Sequence, residues 1–335
     1  MEPTLSFTSA QQPTPAPAPF EVVQAPGALG AEIRGIELKR IDDPTFDAIH
    51  QAWLDNVLLV FRGQTMSAGD LVTLVKRFGT PVSSSNLHQR KLDERTANQL
   101  FDLPPEVTVV TNLKENGEAV GILGDGEVVW HSDFSFKEKP TAARMLLAIE
   151  IPPAELGGHT YFLNCYAAYD ALSGEMKKRI AGKTIKQANI IDTAMKLRPG
   201  ASLDADIRTV PGPSHPIIST HPETGRNMLF LGRRHAAYVN GSSIEDSEAL
   251  LDALWAHCTQ PRFSYVHRWA VGDVVVWDNR ATLHRRDAFD SSSRRILYAA
   301  QVEGHRPFEA QNALSLPPHN RSIPPSVNNA VVGPG

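Results

Sequence analysis

His131 and Asp133 stand two residues apart in Val129-Val-Trp-His-Ser-Asp-Phe-Ser-Phe136, a run whose polar and apolar residues alternate as they do along a strand edge. Side chains at i and i+2 of a strand point to one face, so this imidazole and carboxylate can reach one metal ion. A second histidine, His284, closes the run Gly272-Asp-Val-Val-Val-Trp-Asp-Asn-Arg-Ala-Thr-Leu-His284, in which a turn feeds a buried strand, Val274 to Trp277, with polar residues at its mouth. Two histidines and one carboxylate form a facial triad that leaves three of six positions open, the arrangement suited to non-haem Fe(II) that must also bind a cosubstrate and O2. Each part alone has a plainer reading: His-x-Asp is a common surface or core pair, and His284 reads as a satisfied histidine in a sheet. Eleven residues past His284, Arg295 heads a further strand, Ile296 to Val302. A guanidinium matches a planar carboxylate with two parallel charge-assisted bonds, so a cosubstrate carboxylate could be anchored there.

These residues need a sheet to hold them, and the chain reads accordingly. Strands are expected at Leu29 to Ile33, Val57 to Phe61, Val107 to Val110, Met145 to Ile151 and Phe263 to Trp269. Asp43 is expected to cap a helix with Pro44 in its first turn and Phe46, Ile49 and Trp53 on one face. Ser67 and Asp70 form a capping-box pair before Leu71, Leu74, Val75 and Phe78, and Gly79 with Pro81 stops that helix. A helix from about Tyr166 carries Tyr169, Leu172, Met176 and Ile180, with an interruption at Ser173-Gly174. Another, Ile244 to Cys258, turns Leu251, Leu254, Trp255 and Cys258 inward. His221 to Gly225 reads as a hairpin turn. Loops are expected at 83–103, 117–126 and 198–216. Short strands separated by turns, with a few helices, indicate a mainly β sandwich or jelly roll with helical padding. A Pro/Ala-rich leader, 1–19, and a Pro/Asn-rich tail, 313–335, read as disordered around one domain, 20–312.

Composition excludes several classes. A net charge of -4 gives no basic field for nucleic acid. Two cysteines, Cys165 and Cys258, argue against a disulfide-stapled fold and fit a reducing compartment. With no apolar run of membrane-spanning length and no basic residue before Arg34, the expectation is a cytoplasmic protein with a small-molecule partner, no nucleic acid and no membrane.

Across most of its length the chain resembles the taurine/2,4-D-type (TauD/TfdA) Fe(II)- and 2-oxoglutarate-dependent dioxygenases. The likeness rests on Leu29-Gly-Ala-Glu32, Val60-Phe-Arg-Gly-Gln64, Trp130-His-Ser-Asp133, Gly157-Gly-His-Thr160, His221-Pro-Glu-Thr-Gly225, Trp277-Asp-Asn-Arg-Ala-Thr-Leu-His284 and Arg295, in that order. It implies a double-stranded β-helix, a distorted cupin-like jelly roll. It also implies that His131, Asp133 and His284 hold iron, and that Thr160 and Arg295 bind the C5 carboxylate of 2-oxoglutarate. The implied reaction uses O2, releases succinate and CO2 and oxidises an unactivated C–H of a small molecule bearing a carboxylate or an amine. Hydroxylation is the default; desaturation, cyclisation and C–N bond formation use the same triad. An intact Asp133 speaks against halogenation. The family often forms dimers or tetramers, which leaves a homo-oligomer open.

The substrate end is less legible. Where taurine enzymes carry a second Arg, four residues beyond the first, this chain has Ala299, so taurine is not the expected substrate. Candidate substrate contacts are His88, Asn112, Phe162, Phe230 and Arg233, with Lys91, Arg234 and Tyr238 behind them. For each, a solvated charge or core packing is the competing reading. A metal-binding jelly roll without oxygen chemistry, or a zinc hydrolase with the same ligands, needs neither Thr160 nor Arg295.

Overall fold

The computed structural model describes residues 19–83, 101–202 and 206–310. The expected leader, apart from Pro19, and the expected tail lie outside these residues, as do His88 and Lys91. Two sheets share one apolar core. The larger has eight strands in the order Glu21–Gln24, Ala31–Arg34, Leu58–Phe61, Val274–Asp278, Ala143–Glu150, Ile296–Gln301, Thr108–Thr111, Ile122–Leu123. The smaller has four, in the order Ser264–His267, Thr160–Asn164, Thr282–Arg286, Val128–His131. This is the mainly β, distorted jelly-roll architecture with flanking helices that the sequence implies.

The central strands of the large sheet are apolar on both faces because both faces are covered. In Ala143–Glu150, Met145 and Leu147 join Ile49, Trp53, Leu71 and Val75 of the helices Asp43–Asn56 and Ala68–Phe78. Leu146 and Ala148 point the other way, into a cluster with Phe162 and Leu283 of the small sheet. The period of two repeats in Val274–Asp278: Val274 and Val276 meet the helices, Val275 and Trp277 the small sheet.

Helix boundaries follow their caps. The first helix is capped by Asp42, whose carboxylate accepts the Thr45 N–H at 2.9 Å, so Asp43 is its first helical residue and not its cap. Ser67 and Asp70 cap the second reciprocally. The helix expected from Tyr166 is two helices, Cys165–Asp170 and Gly174–Ile180, because Asn164 and Ser173 each cap a separate start. Ile244–Cys258 runs as expected, and His221–Gly225 joins the paired strands Ile218–Thr220 and Asn227–Leu229. Within the expected loop 117–126, Ile122–Leu123 adds a parallel edge to the large sheet. Thr282–Arg286 was not foreseen as a strand: apart from Leu283 its side chains are polar, and its two neighbours in the small sheet impose the conformation. Cys165 and Cys258 are buried free thiols. Among the described residues, no helix is long and apolar enough to cross a membrane.

Candidate active site

The cross-strand register His284↔His131 brings together two histidines that lie far apart in sequence, with ring centroids 4.1 Å apart. The strand that delivers His131 ends at that residue, so Asp133 does not share its face through the pleat as the sequence reading assumed. A turn delivers it instead. The Ser132 N–H donates to the Gly232 carbonyl at 2.8 Å, and the Ser132 hydroxyl to the Asn279 carbonyl at 2.9 Å. The Asp133 N–H donates to Asn279 Oδ1 at 2.9 Å, while Asn279 Nδ2 donates back to the Asp133 carbonyl at 3.0 Å. Phe134 then takes a φ of 56°, and the chain reverses. Asp133 Oδ1 thereby lies 3.5 Å from His131 Nε2, and Oδ2 lies 3.6 Å from His284 Nε2. One donor atom from each of the three falls within 4.8 Å of the others, and all three residues are buried.

The donors suit a divalent cation. His131 Nδ1 lies 2.8 Å from the Val129 carbonyl, so Nδ1–H donates there and Nε2 keeps a lone pair for a metal. Burial and the neighbouring His131 push His284 well below its ordinary pKa, in the neutral form that ligates; its Nδ1 has no partner. Burial pushes the Asp133 carboxyl up, but Arg144, His284 and His131 outweigh it and hold the group well below the usual carboxylate range. Arg144 is the strongest of these, with Nη1 2.5 Å from Asp133 Oδ2 and both side chains buried. Sequence reading missed Arg144. A signal was present, since it is the one charge inside the otherwise apolar stretch Ala142 to Ile149.

Thr160 of the small sheet and Arg295, which precedes the large-sheet strand Ile296–Gln301, meet around Trp269, whose Nε1 bonds Thr160 and whose ring lies 6.0 Å from the Arg295 guanidinium carbon. Arg295 is 2% exposed, and its Nε has no partner. Burial, and then the neighbouring Arg286, push its pKa well down. Asn112 holds its backbone, with Oδ1 accepting the Arg295 N–H at 3.1 Å and Nδ2 donating to the Ser293 carbonyl at 2.7 Å. Both ends of the Asn112 amide are thus committed to positioning Arg295. Thr160 Oγ1 accepts from Trp269 Nε1 at 2.9 Å, which leaves its own O–H free to donate. Gly158 lies beside Arg295 at φ +77°, a left-handed conformation that residues with a side chain rarely adopt.

The remaining candidates separate. Phe162 is fully buried behind His284 and Trp277, so it braces a triad histidine. Phe230 packs edge-on against His215, whose Nε2 lies within hydrogen-bond distance of the Ser135 and Lys137 carbonyls in the turn after Asp133. Arg234 pairs with Glu248 and Asp252, and the Tyr238 hydroxyl donates to the Ser242 carbonyl. Arg233 is different. It is 3% exposed, bridges backbone to backbone with His131, and donates from its side chain to the Ile191 carbonyl. Burial and then Arg198 lower its pKa to about 10. Arg198 and Arg233 carry their guanidinium carbons 5.4 and 5.7 Å from the centroid of the Phe136 ring, and neither makes an ion pair among the described residues.

Comparison with known proteins agrees with this geometry. Residues 21–301 match the family described as taurine catabolism dioxygenase TauD, TfdA family. The chain is 31% identical to (S)-phenoxypropionate/alpha-ketoglutarate-dioxygenase of Delftia acidovorans, over 85% of this chain and 95% of that protein. It is 32% identical to pentalenolactone F synthase of Streptomyces arenae, over 83% of this chain and 93% of that one. Among solved structures, that of AAD-2 in complex with Mn(II) and N-oxalylglycine superimposes with a TM-score of 0.67 at 26% identity, covering 86% of this chain and 98% of that one. A taurine dioxygenase from Burkholderia xenovorans gives 0.66 at 26% identity, covering 86% and 91%.

Proposed function

The chain belongs to the TauD/TfdA family of 2-oxoglutarate-dependent dioxygenases, and from that premise we propose that it hydroxylates an unactivated C–H of a small carboxylate-bearing molecule. His131, Asp133 and His284 would hold Fe(II), and Thr160 with Arg295 would bind the C5 carboxylate of 2-oxoglutarate. When bound, iron and 2-oxoglutarate supply the oxidising power from O2, with release of succinate and CO2. The observation that carries this reading is the convergence of one ligand atom each from His131, Asp133 and His284 within 4.8 Å, all three buried.

The chain's own residues do the positioning. Arg144 keeps Asp133 ionised, and the Val129 carbonyl fixes the His131 tautomer. Trp269 orients the Thr160 hydroxyl. Arg198 and Arg233, on one aromatic ring and without an ion-paired carboxylate among the described residues, favour an anionic group on the substrate. Ala299 is buried in the core, which argues against a taurine-type anchor at that position.

Anaerobic Fe(II) and 2-oxoglutarate are expected to give a weak visible charge-transfer band. A screen of small carboxylates should then find compounds that stimulate succinate release, and mass measurement of the product should show a gain of one oxygen. Loss of two hydrogens would replace hydroxylation by desaturation or ring closure. A protein that retains zinc but shows neither the band nor 2-oxoglutarate-dependent succinate would overturn the reading.

A further inference from the structure

The strand Thr282–Arg286 presents a second cation beside the triad. His284 pairs across the small sheet with Phe162, and Arg286 pairs with Thr160, so the two face pairs repeat at the strand period of two. Arg286 therefore belongs to the same end of the small sheet as Thr160. Its guanidinium carbon lies 5.2 Å from the centroid of the Phe289 ring, and that of Arg295 lies 5.8 Å from the same centroid. Both arginines are buried, at 5% and 2% exposure.

Two buried like charges on one ring require compensation. Among the described residues neither arginine makes an ion pair with an acid within 4.0 Å; Asp125 acts on Arg286 from farther off, and its attraction does not offset the burial. Arg286 Nη2 donates to the Leu123 carbonyl at 3.0 Å and also to the Gly126 carbonyl. These bonds fix the guanidinium in place but leave its Nε and Nη1 buried and without a partner, as is Arg295 Nε. Unused donors on two buried guanidiniums, beside the free hydroxyl proton of Thr160, match the four lone-pair sites of one carboxylate.

We propose that Arg286 is a second anchor for the distal carboxylate of the 2-oxo acid cosubstrate, acting with Arg295 to select dicarboxylic over monocarboxylic 2-oxo acids. The inference rests on the proposed assignment of this pocket to 2-oxoglutarate. It assigns selectivity to a pair of cations: a 2-oxo acid that ends in a methyl group would leave both guanidiniums buried and unpaired.

The test is an anaerobic titration of the Fe(II)-loaded protein, read by the charge-transfer band, with 2-oxoglutarate and with 2-oxovalerate, which has the same chain length without the distal carboxylate. Arg286→Met should weaken 2-oxoglutarate binding by about 10- to 100-fold, the scale of a charged hydrogen-bond pair, while 2-oxovalerate binding stays within about twofold. Arg286→Lys should recover part of the 2-oxoglutarate affinity. Unchanged 2-oxoglutarate affinity in Arg286→Met would overturn the proposal, as would equal weakening for both acids, the signature of a prop for the Leu123–Gly126 loop. If the unsubstituted protein shows no band with 2-oxoglutarate, the cosubstrate assignment itself fails; a band that ignores Arg286 removes only this inference.

Discussion

Two buried clusters in this molecule use the same residue types and differ in whether their polar atoms are satisfied. In the first, His221 donates from Nε2 to Asp278 Oδ2 at 2.8 Å and accepts the Thr224 N–H at Nδ1 at 3.1 Å. Asp278 also takes Arg280 Nε at 2.9 Å and Nη2 at 2.6 Å, and Arg280 Nη1 reaches Glu223 at 2.8 Å. Glu223 in turn faces His50 at 3.2 Å. In the second cluster, with its neighbouring anchor, His284 Nδ1, Arg144 Nε, Arg286 Nε and Nη1, and Arg295 Nε have no partner among the described residues. The first network is closed and joins the first helix, the His221–Gly225 turn and the end of a central strand. The second is open, with buried polar atoms left without a partner among the described residues.

That contrast can be broken experimentally. The largest effect is expected in the open cluster: His131→Ala or Asp133→Ala should abolish the charge-transfer band and reduce succinate release to background, with thermal unfolding little moved in His131→Ala and lowered in Asp133→Ala, which leaves Arg144 buried without its acid. Retained turnover in either variant would remove the triad. In the closed cluster no loss of iron binding is expected: Asp278→Ala leaves His221 without its acid and Arg280 with Glu223 alone, and should destabilise by about 3–5 kcal/mol, measured by denaturant unfolding. Arg144→Met should lower metal affinity by about 10- to 100-fold, because Arg144 braces a ligand without being one, and competition with a chelator would measure it.

The smallest effect is a pH dependence. Burial raises the Glu223 carboxyl, but His50 and Arg280 outweigh it and bring it down to about 2 from an ordinary 4.5. A folded-state value below the unfolded one contributes stability that is complete above pH 4.5 and is lost as pH falls toward 2. At neutral pH this is on the order of 2–3 kcal/mol. Glu223→Gln should therefore be less stable than the unsubstituted protein at pH 7 and approach it near pH 2; a constant difference across that range would show that the charge of Glu223 is not responsible.

Much of the fold was legible because local rules and tertiary packing agree. The apolar run Val274 to Trp277, the Ser67/Asp70 box and the helix Ile244–Cys258 each follow from residue type and period, and each forms where expected. Thr282–Arg286 escaped because its pattern is polar, and a strand held by neighbours on both sides needs no apolar signature of its own.

For the site, residue type and spacing offered a candidate donor set, two histidines, one carboxylate and a downstream arginine, and the family's order of motifs around them is what implied it. Tertiary structure decided how those donors meet. Asp133 reaches the histidines through a turn clamped by Asn279, a contact 146 residues away in sequence that no local period encodes. It also decided which cations matter. Arg144, Arg286 and Arg234 are the same side chain in the sequence, yet one braces Asp133, one lies buried with unused donors, and one pairs with acids on a helix. The physical reason is that a charge's role depends on its desolvation and its partners, and both are set by distant segments that only folding brings into contact.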